Sequence, residues 1–185
     1  MRRIIFQNMI SVDGFFEGPN RDISWHNVDA EFNDLAIEFL NSIDLLVFGR
    51  VTYDLMAGYW PTKDAIKDDQ IIAAKMNSLA KIVVSRTMQK ADWNNTRLIN
   101  DIAEIKKVKE QPGKDIAIFG SSDLALSLLK EGLIDEFRVI VSPVILGSGK
   151  TLLQGIGDKL DLKLLNTRTF KSGNVLLSYE KQLLH

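Results

Sequence analysis

Three polar segments of similar composition occur along the sequence: Gly49-Arg50-Val51-Thr52-Tyr53, Val84-Ser85-Arg86-Thr87 and Phe119-Gly120-Ser121-Ser122. Each segment continues from a short apolar run, at residues 45–48, 81–84 and 115–119. Short continuous apolar runs are typical of strands that are buried on both faces of a parallel sheet. The sequence therefore predicts three buried strands that lead into residues rich in Gly, Ser, Thr and Arg.

Helical segments separate these strands. From Asp29, apolar residues recur at the i, i+3, i+4 and i+7 spacing of an amphipathic helix. Further helices are predicted at about residues 51–56, 71–79 and 102–109, and another ends at Gly132, a residue favoured just past a helix end. Additional strands are predicted at residues 3–10 and 97–99. Alternating strands and helices favour an α/β fold with a mainly parallel sheet.

The pattern changes in the last third of the chain. Strands are predicted at residues 136–141, 160–170 and 175–179, and Lys171-Ser172-Gly173-Asn174 is typical of a hairpin turn between the last two. We therefore expect a C-terminal antiparallel hairpin at the edge of the sheet. No internal repeat or linker interrupts the sequence, so a single domain over residues 1–185 is expected.

Composition and charge exclude several classes of protein. The chain has 185 residues, 45% hydrophobic and 25% charged, and 23 Lys+Arg against 24 Asp+Glu give a net charge of −1. No basic cluster indicates nucleic-acid binding, and no apolar stretch is long enough to span a membrane. Without Cys and with only 2 His, a Cys/His zinc site is excluded and no metal is expected. We expect a cytoplasmic protein.

The three strand ends are suited to phosphate. Ligands of open α/β sheets bind beyond the carboxyl ends of the strands, and helix N-termini offer unpaired N–H groups to anions. Gly permits close approach of the backbone, Ser and Thr hydroxyls donate hydrogen bonds, and Arg50 and Arg86 each offer a planar fork. The alternative is that Ser122 caps its own helix and both Arg side chains are simply solvated.

One further segment resembles the end of a phosphate-binding P-loop. Gly147-Ser148-Gly149-Lys150-Thr151 ends in the required Gly-Lys-Thr, but Val144 occupies the position of the first Gly of that motif. Gly155 and Gly157 interrupt the helix that a P-loop requires. Kinase and NTPase functions are therefore not favoured.

The order of these motifs resembles the dihydrofolate reductase fold, a three-layer fold. It is most similar to the reductase domain that forms the C-terminal part of the bifunctional riboflavin-biosynthesis deaminase-reductase. Ser11-Val12-Asp13-Gly14, the segment at residues 128–136 and the segment at residues 143–149 carry this closer resemblance. The resemblance implies an NADPH-dependent reductase.

The resemblance also implies roles for single residues. Arg50, Ser85 and Arg86 would hold the 2′-phosphate of the adenosine. Thr52 and the helix start at Gly120, Ser121 and Ser122 would hold the pyrophosphate. Further cofactor contacts are expected from Gly49, Thr87, Leu124 and Gly147. Ser121 departs from dihydrofolate reductases, which have a second Gly there, and its side chain would either crowd the pyrophosphate or donate to it.

The proton donor of dihydrofolate reductases is a carboxylate on the first long helix. Here helical phase places Asp34 on the solvent side and Glu31 at the flank of the apolar face. Asp13, in the turn after the first strand, is instead the candidate catalytic residue, either orienting the substrate or delivering a proton. A plain turn Asp is the alternative. Candidate substrate contacts are Ser11, Trp25, Phe32 and Trp60.

We therefore expect an enzyme that binds NADPH and a small-molecule substrate. The first-choice substrate is 5-amino-6-(5-phosphoribosylamino)uracil, as in riboflavin biosynthesis. Dihydrofolate reduction is the second possibility, and a non-enzymatic NADP-binding module is the third. The apolar C-terminal strands, together with the dimers formed by riboflavin-type reductases, predict a homodimer that associates through this region.

Overall fold

The computed structural model describes residues 1–182. The strands are β1 Ile4–Ser11, β2 Phe15–Glu17, β3 Ile43–Gly49, β4 Ala80–Val84, β5 Thr96–Ile99, β6 Asp115–Phe119, β7 Glu136–Ser142, β8 Lys150–Thr151, β9 Leu162–Thr169 and β10 Val175–Lys181. The α-helices are α1 Ala30–Ser42, α2 Arg50–Tyr59, α3 Lys63–Asp68, α4 Gln70–Ser78, α5 Ala103–Glu110 and α6 Ser122–Lys130, and a 3₁₀ turn spans Pro19–Arg21.

Eight strands form one sheet, in the order β5-β4-β3-β6-β1-β7-β10-β9. The pairs from β5 to β7 are parallel, whereas β10 is antiparallel to both β7 and β9. Phe170 and Asn174 close the hairpin between β9 and β10 through a backbone hydrogen bond of 2.9 Å. The predicted α/β fold, with its mainly parallel sheet and C-terminal antiparallel hairpin, is confirmed.

Helices cover the two faces of the sheet and form the outer layers. On one face, Ile105 of α5 and Leu128 of α6 pack against strand residues such as Phe6. On the other face, Phe39 of α1 and Tyr53 of α2 pack in one cluster with Leu46 and Phe48 of β3. Burying an aliphatic or aromatic side chain contributes roughly 1.5–3 kcal/mol, so these two cores stabilise the three-layer arrangement.

A small second sheet was not predicted from the sequence. β2 and β8 pair antiparallel, Phe15 with Thr151 and Glu17 with Lys150. Gly149 has a φ of +147°, and a Cβ there would lie 2.1 Å from the carbonyl oxygen of Glu17, so only Gly fits beside β2. Lys150 and Thr151 therefore form a strand instead of the helix that a P-loop needs, which confirms that this motif is not a P-loop.

Candidate functional site

The three polar segments meet at one edge of the sheet. β4, β3 and β6 are neighbours, and Gly49 at the end of β3 is in register with Val84 at the end of β4. Parallel strands place their carboxyl ends at the same edge. Arg50, Arg86 and the turn at Gly120 therefore leave the sheet side by side.

Two of these segments are joined by hydrogen bonds. The backbone N–H of Gly49 donates to the Ser121 hydroxyl (3.0 Å), and the backbone N–H of Ser121 donates to the Thr52 hydroxyl (2.9 Å). Ser121 thus uses its hydroxyl to accept from the neighbouring loop. Its φ of 47° is left-handed, an uncommon conformation for a residue other than Gly, Asn or Asp. These bonds make the two loops one unit.

A side chain at Gly120 would be in tight contact with Thr52. Its φ is +57°, and a Cβ would lie 3.1 Å from both Cγ2 and Oγ1 of Thr52. Gly is suited to such positions because it has no Cβ and the backbone can therefore lie close to a neighbouring side chain. At Gly49, in contrast, a Cβ would meet only ordinary contacts of 3.7 Å with Leu124 and Ser121. Leu124 itself is buried in the core.

The two helices that begin at these loops lack side-chain caps. No side chain accepts a hydrogen bond from the first turn of α2 or of α6 within residues 1–182. α1, α3 and α4, in contrast, are capped by Asp29, Thr62 and Asp69. Unfilled N–H groups and the helix dipole together favour an anion at a helix start.

Ser122 is buried and does not cap its helix. Its hydroxyl accepts a hydrogen bond of 3.1 Å from the backbone N–H of Leu153. The alternative interpretation of Ser122 as a helix cap is therefore wrong. Instead, Ser122 holds the segment that follows β8 against the start of α6.

The third segment is organised by Ser85. Its buried hydroxyl accepts hydrogen bonds from the backbone N–H groups of Thr87 (3.2 Å) and Met88 (3.1 Å). These bonds form a tight turn that leaves Arg86 and Thr87 exposed. Ser85 thereby positions Arg86.

Arg50 and Arg86 differ from most other Arg side chains of the chain. Both are exposed, and neither forms an ion pair with a carboxylate within residues 1–182. The Arg side chains that do form ion pairs are Arg2, Arg3, Arg97, Arg138 and Arg168. Two guanidinium groups at the carboxyl edge of the sheet are thus available to an anionic ligand.

Asn8 was missed by the sequence analysis. Gln7 is in register with Phe119, so the next residue of β1, Asn8, lies level with Gly120. Asn8 is only 8% exposed, and its side-chain nitrogen is buried without a hydrogen-bond partner in the described chain. A buried, unpaired donor costs roughly 1–3 kcal/mol, which marks this position as one that a ligand or water completes. A polar residue inside an apolar strand was the available signal.

Asp13 binds a loop that is distant in sequence. Its carboxylate accepts hydrogen bonds from the backbone N–H groups of Leu146 (3.1 Å) and Gly147 (2.7 Å). The Ser11 hydroxyl and then these N–H groups lower the pKa of Asp13 from 3.8 to about 2. Asp13 is therefore ionised at neutral pH and holds no proton to deliver. Ser11 is fully buried, and its hydroxyl also accepts from the backbone N–H of Phe15 (3.0 Å).

The three candidate aromatic residues lie in two clusters. Trp25 and Phe32 pack with Met9 and Phe170, whereas Trp60 packs in the cluster that contains Phe39. The indole N–H of Trp25 donates to the carbonyl oxygen of Asp22 (3.1 Å). All three side chains are half-buried, so each keeps some surface for a ligand.

The two candidate carboxylates of α1, Asp34 and Glu31, lie in different surroundings. Asp34 is exposed, as helical phase predicted. Glu31 accepts a hydrogen bond of 2.7 Å from the backbone N–H of Lys171 in the hairpin turn. Glu31 therefore connects α1 to the C-terminal hairpin.

Of two clefts, one lies far from the three polar segments and the other borders two of them. One of about 760 Å³ is at the opposite edge of the sheet, beside Arg2, Asp44 and Lys81. Another of about 450 Å³ lies between α2 and Trp93. Within residues 1–182 there is no cluster of His, Asp and Glu suited to a metal ion. No helix in that range is long and apolar enough to cross a membrane.

Comparison with protein-family models identifies the family of this chain. A model of the RibD C-terminal domain matches residues 2–176. The uncharacterized protein YyaP of Bacillus subtilis is 38% identical over 180 residues, which cover 96% of this chain and 94% of YyaP.

Two solved structures have a similar fold. A diaminohydroxyphosphoribosylaminopyrimidine deaminase/5-amino-6-(5-phosphoribosylamino)uracil reductase from Thermotoga maritima has a TM-score of 0.69 at 14% identity, over 98% of this chain and 57% of that one. A dihydrofolate reductase from Enterococcus faecalis, complexed with NADP(H) and RAB-propyl, has a TM-score of 0.66 at 16% identity, over 97% and 96% of the two chains. This chain has the fold of dihydrofolate reductase-like proteins and belongs to the RibD C-terminal domain family.

Proposed function

We propose that this protein is an NADPH-dependent reductase that transfers hydride to a small heterocyclic substrate. One observation carries the proposal: two helix starts are joined through Ser121 at the edge of the sheet, and within residues 1–182 they have no side-chain cap and lie beside two Arg side chains without an ion-pair partner. This arrangement suits a ligand that carries several phosphates. The family is that of the reductase domain of a riboflavin-pathway enzyme.

The residues present fit a dinucleotide. Gly120 has a φ of +57°, a left-handed conformation that Gly adopts readily, and it lies in the turn that leads into α6. Asn8, beside this turn, has a buried N–H donor that lacks a hydrogen-bond partner among residues 1–182. In our proposal, Gly49, Thr52, Gly120, Ser121 and the start of α6 hold the pyrophosphate, and Arg50 and Arg86 hold the 2′-phosphate.

NADPH, when bound, supplies the hydride, and the residues of the chain orient the reactants. Asp13 lies in the turn after β1, the strand next to β6, and its ionised carboxylate accepts hydrogen bonds from the backbone N–H groups of Leu146 and Gly147. Its proposed role is to position the substrate side of the site. Since Asp13 holds no proton at neutral pH, the proton for the reduced product comes from another group or from solvent.

We propose 5-amino-6-(5-phosphoribosylamino)uracil as the substrate of first choice and dihydrofolate as the second. Glu31 is already bonded to the hairpin turn, which argues against the use of a helix carboxylate as in dihydrofolate reductases. The test is NADPH oxidation by the purified protein with each substrate. NADPH oxidation in the presence of the uracil derivative supports the proposal. NADPH oxidation with dihydrofolate alone would make dihydrofolate the preferred substrate. Tight NADPH binding without oxidation by either favours a non-enzymatic binding module.

We also propose that the protein is a homodimer. The edge strand β9 exposes Leu162 (38%), Leu164 (51%) and Leu165 (42%). An exposed apolar edge strand is prone to pair with another chain, and a second copy of this chain offers a matching edge. Light scattering at micromolar concentration is expected to give the mass of a dimer, and a monomer mass would refute this proposal.

A further inference from the structure

Lys150 lies at the start of α6, although it belongs to a segment far from that helix in sequence. Its ammonium nitrogen is 3.0 Å from both carboxylate oxygens of Asp123. Asp123 is in the first turn of α6, directly after Ser122. The Lys of the rejected P-loop motif thus reaches a helix start from a strand of the small sheet.

Two independent features hold Lys150 in this place. On one side, Lys150 pairs with Glu17 of β2, and the Gly before it cannot be replaced without a collision with the Glu17 carbonyl oxygen. On the other side, Leu153 donates its backbone N–H to Ser122 at the first position of α6. The segment at residues 150–153 is therefore fastened against both β2 and the helix.

The Asp123 carboxylate at the start of α6 would repel an anionic ligand unless the positive charge of Lys150 offset it. The Asp123 carboxylate is 84% exposed, and a negative charge there repels a phosphate that approaches the N–H groups of the first turn. The Lys150 ammonium neutralises this carboxylate. It is also 39% exposed, so it remains accessible to a ligand.

We propose that Lys150 binds the pyrophosphate of the cofactor, with its ammonium bridging the phosphate oxygens and the Asp123 carboxylate when the cofactor binds. The inference rests on the proposed dinucleotide site. A lysine ammonium is a compact point charge that binds phosphate well and adapts to different positions of the oxygens. Arg50 and Arg86 act on the 2′-phosphate, whereas Lys150 acts on a group that NADPH and NADH share.

The test is fluorescence titration of NADPH and NADH into the full chain and into three variants. Lys150→Met is expected to weaken both cofactors by the same factor, about three- to tenfold for a partly exposed ion pair with phosphate. Asp123→Asn removes the competing carboxylate and is expected to tighten binding of both. Lys163→Met is the matched control, because Lys163 also lies on a strand and pairs with a carboxylate, Glu180, at 3.1 Å.

The sign of the Asp123→Asn effect separates a phosphate contact from a purely structural role. If Lys150 only fastens its segment through Asp123, both variants weaken binding equally, and the proposal is wrong. Unchanged affinity of Lys150→Met, with a normal thermal unfolding midpoint, also contradicts it. If Lys150→Met does not fold, Lys150→Gln replaces it with the same expected loss, and the sign of the Asp123→Asn effect still separates the two roles. Failure of the unaltered chain to bind either cofactor would instead overturn the proposed function, and this inference with it.

Discussion

Arg86→Ala is expected to remove most of the preference for NADPH over NADH. The turn made by Ser85 holds Arg86 beside Arg50, and neither guanidinium is engaged by a carboxylate within residues 1–182. NADH lacks the 2′-phosphate on which both groups act in our proposal.

The size of the effect follows from the exposure of Arg86. A hydrogen bond between charged groups contributes about 1.5–3 kcal/mol, and solvent screening reduces this at an exposed side chain to about 1–2 kcal/mol. That range corresponds to roughly five- to thirtyfold in dissociation constant. The affinity for NADPH should fall by this factor, while the affinity for NADH should change less than about twofold.

Fluorescence titration of both cofactors measures this change. Arg97→Ala is the control, because Arg97 is also an exposed Arg of the same sheet, but it pairs with Glu104 at 3.7 Å and lies on the edge strand β5. Removing it should leave both affinities unchanged. Equal dissociation constants of the unaltered protein for NADPH and NADH would refute the reasoning, and so would equal losses in the two variants.

Three further predictions concern Asp13 and Gly120. Asp13→Asn should lower turnover and leave NADPH affinity nearly unchanged, whereas Glu31→Gln should change neither turnover nor affinity much. A large loss of turnover with Glu31→Gln alone would favour a dihydrofolate reductase. Folding lowers the pKa of Asp13 from 3.8 to about 2. The ionised carboxylate therefore stabilises the protein above pH 3.8, and this stabilisation is lost as the pH falls through about 2. The stability of Asp13→Asn should accordingly depend less steeply on pH between these two values. Gly120→Ala should destabilise the protein by about 1–3 kcal/mol, as measured by urea unfolding. Gly132→Ala is the control and should cost less, because Gly132 also has a left-handed φ, +67°, but a Cβ there would meet nothing within 4 Å. Equal losses for the two glycines would show that contact with Thr52 has no energetic consequence.

The main elements were predictable because their signals are local. β6 begins and ends where the apolar run at residues 115–119 does, and α1 begins after Asp29, whose carboxylate accepts from the N–H of Phe32 at 2.8 Å. Apolar periodicity and helix caps act within a few residues. Burial then requires the alternating strands and helices to form a layered sheet.

The small sheet and the contacts of the site were not predictable in the same way. β2 and β8 have only 3 and 2 residues, which is too short for a periodic pattern, and their pairing joins distant parts of the chain. The bonds of Asp13 to Leu146 and Gly147 likewise depend on the folded arrangement. The sequence indicated that Asp13 lies in a turn, but it did not indicate which N–H groups lower its pKa.

Ser121 illustrates the same limit within a correctly predicted segment. Its position at the start of α6 was evident from the sequence. The two roles considered for its side chain both involved the pyrophosphate, whereas its hydroxyl accepts from Gly49 of the neighbouring loop. That bond exists only because β3 and β6 are adjacent in the sheet.

A crystal structure of the protein grown with NADPH would test the central claim most directly. We expect a dinucleotide across the ends of β4, β3 and β6, with its pyrophosphate at the start of α6 and its 2′-phosphate between Arg50 and Arg86. Density for the dinucleotide in the cleft beside Arg2 and Lys81, at the opposite edge of the sheet, would contradict it, as would a structure at saturating NADPH in which the start of α6 contacts no phosphate.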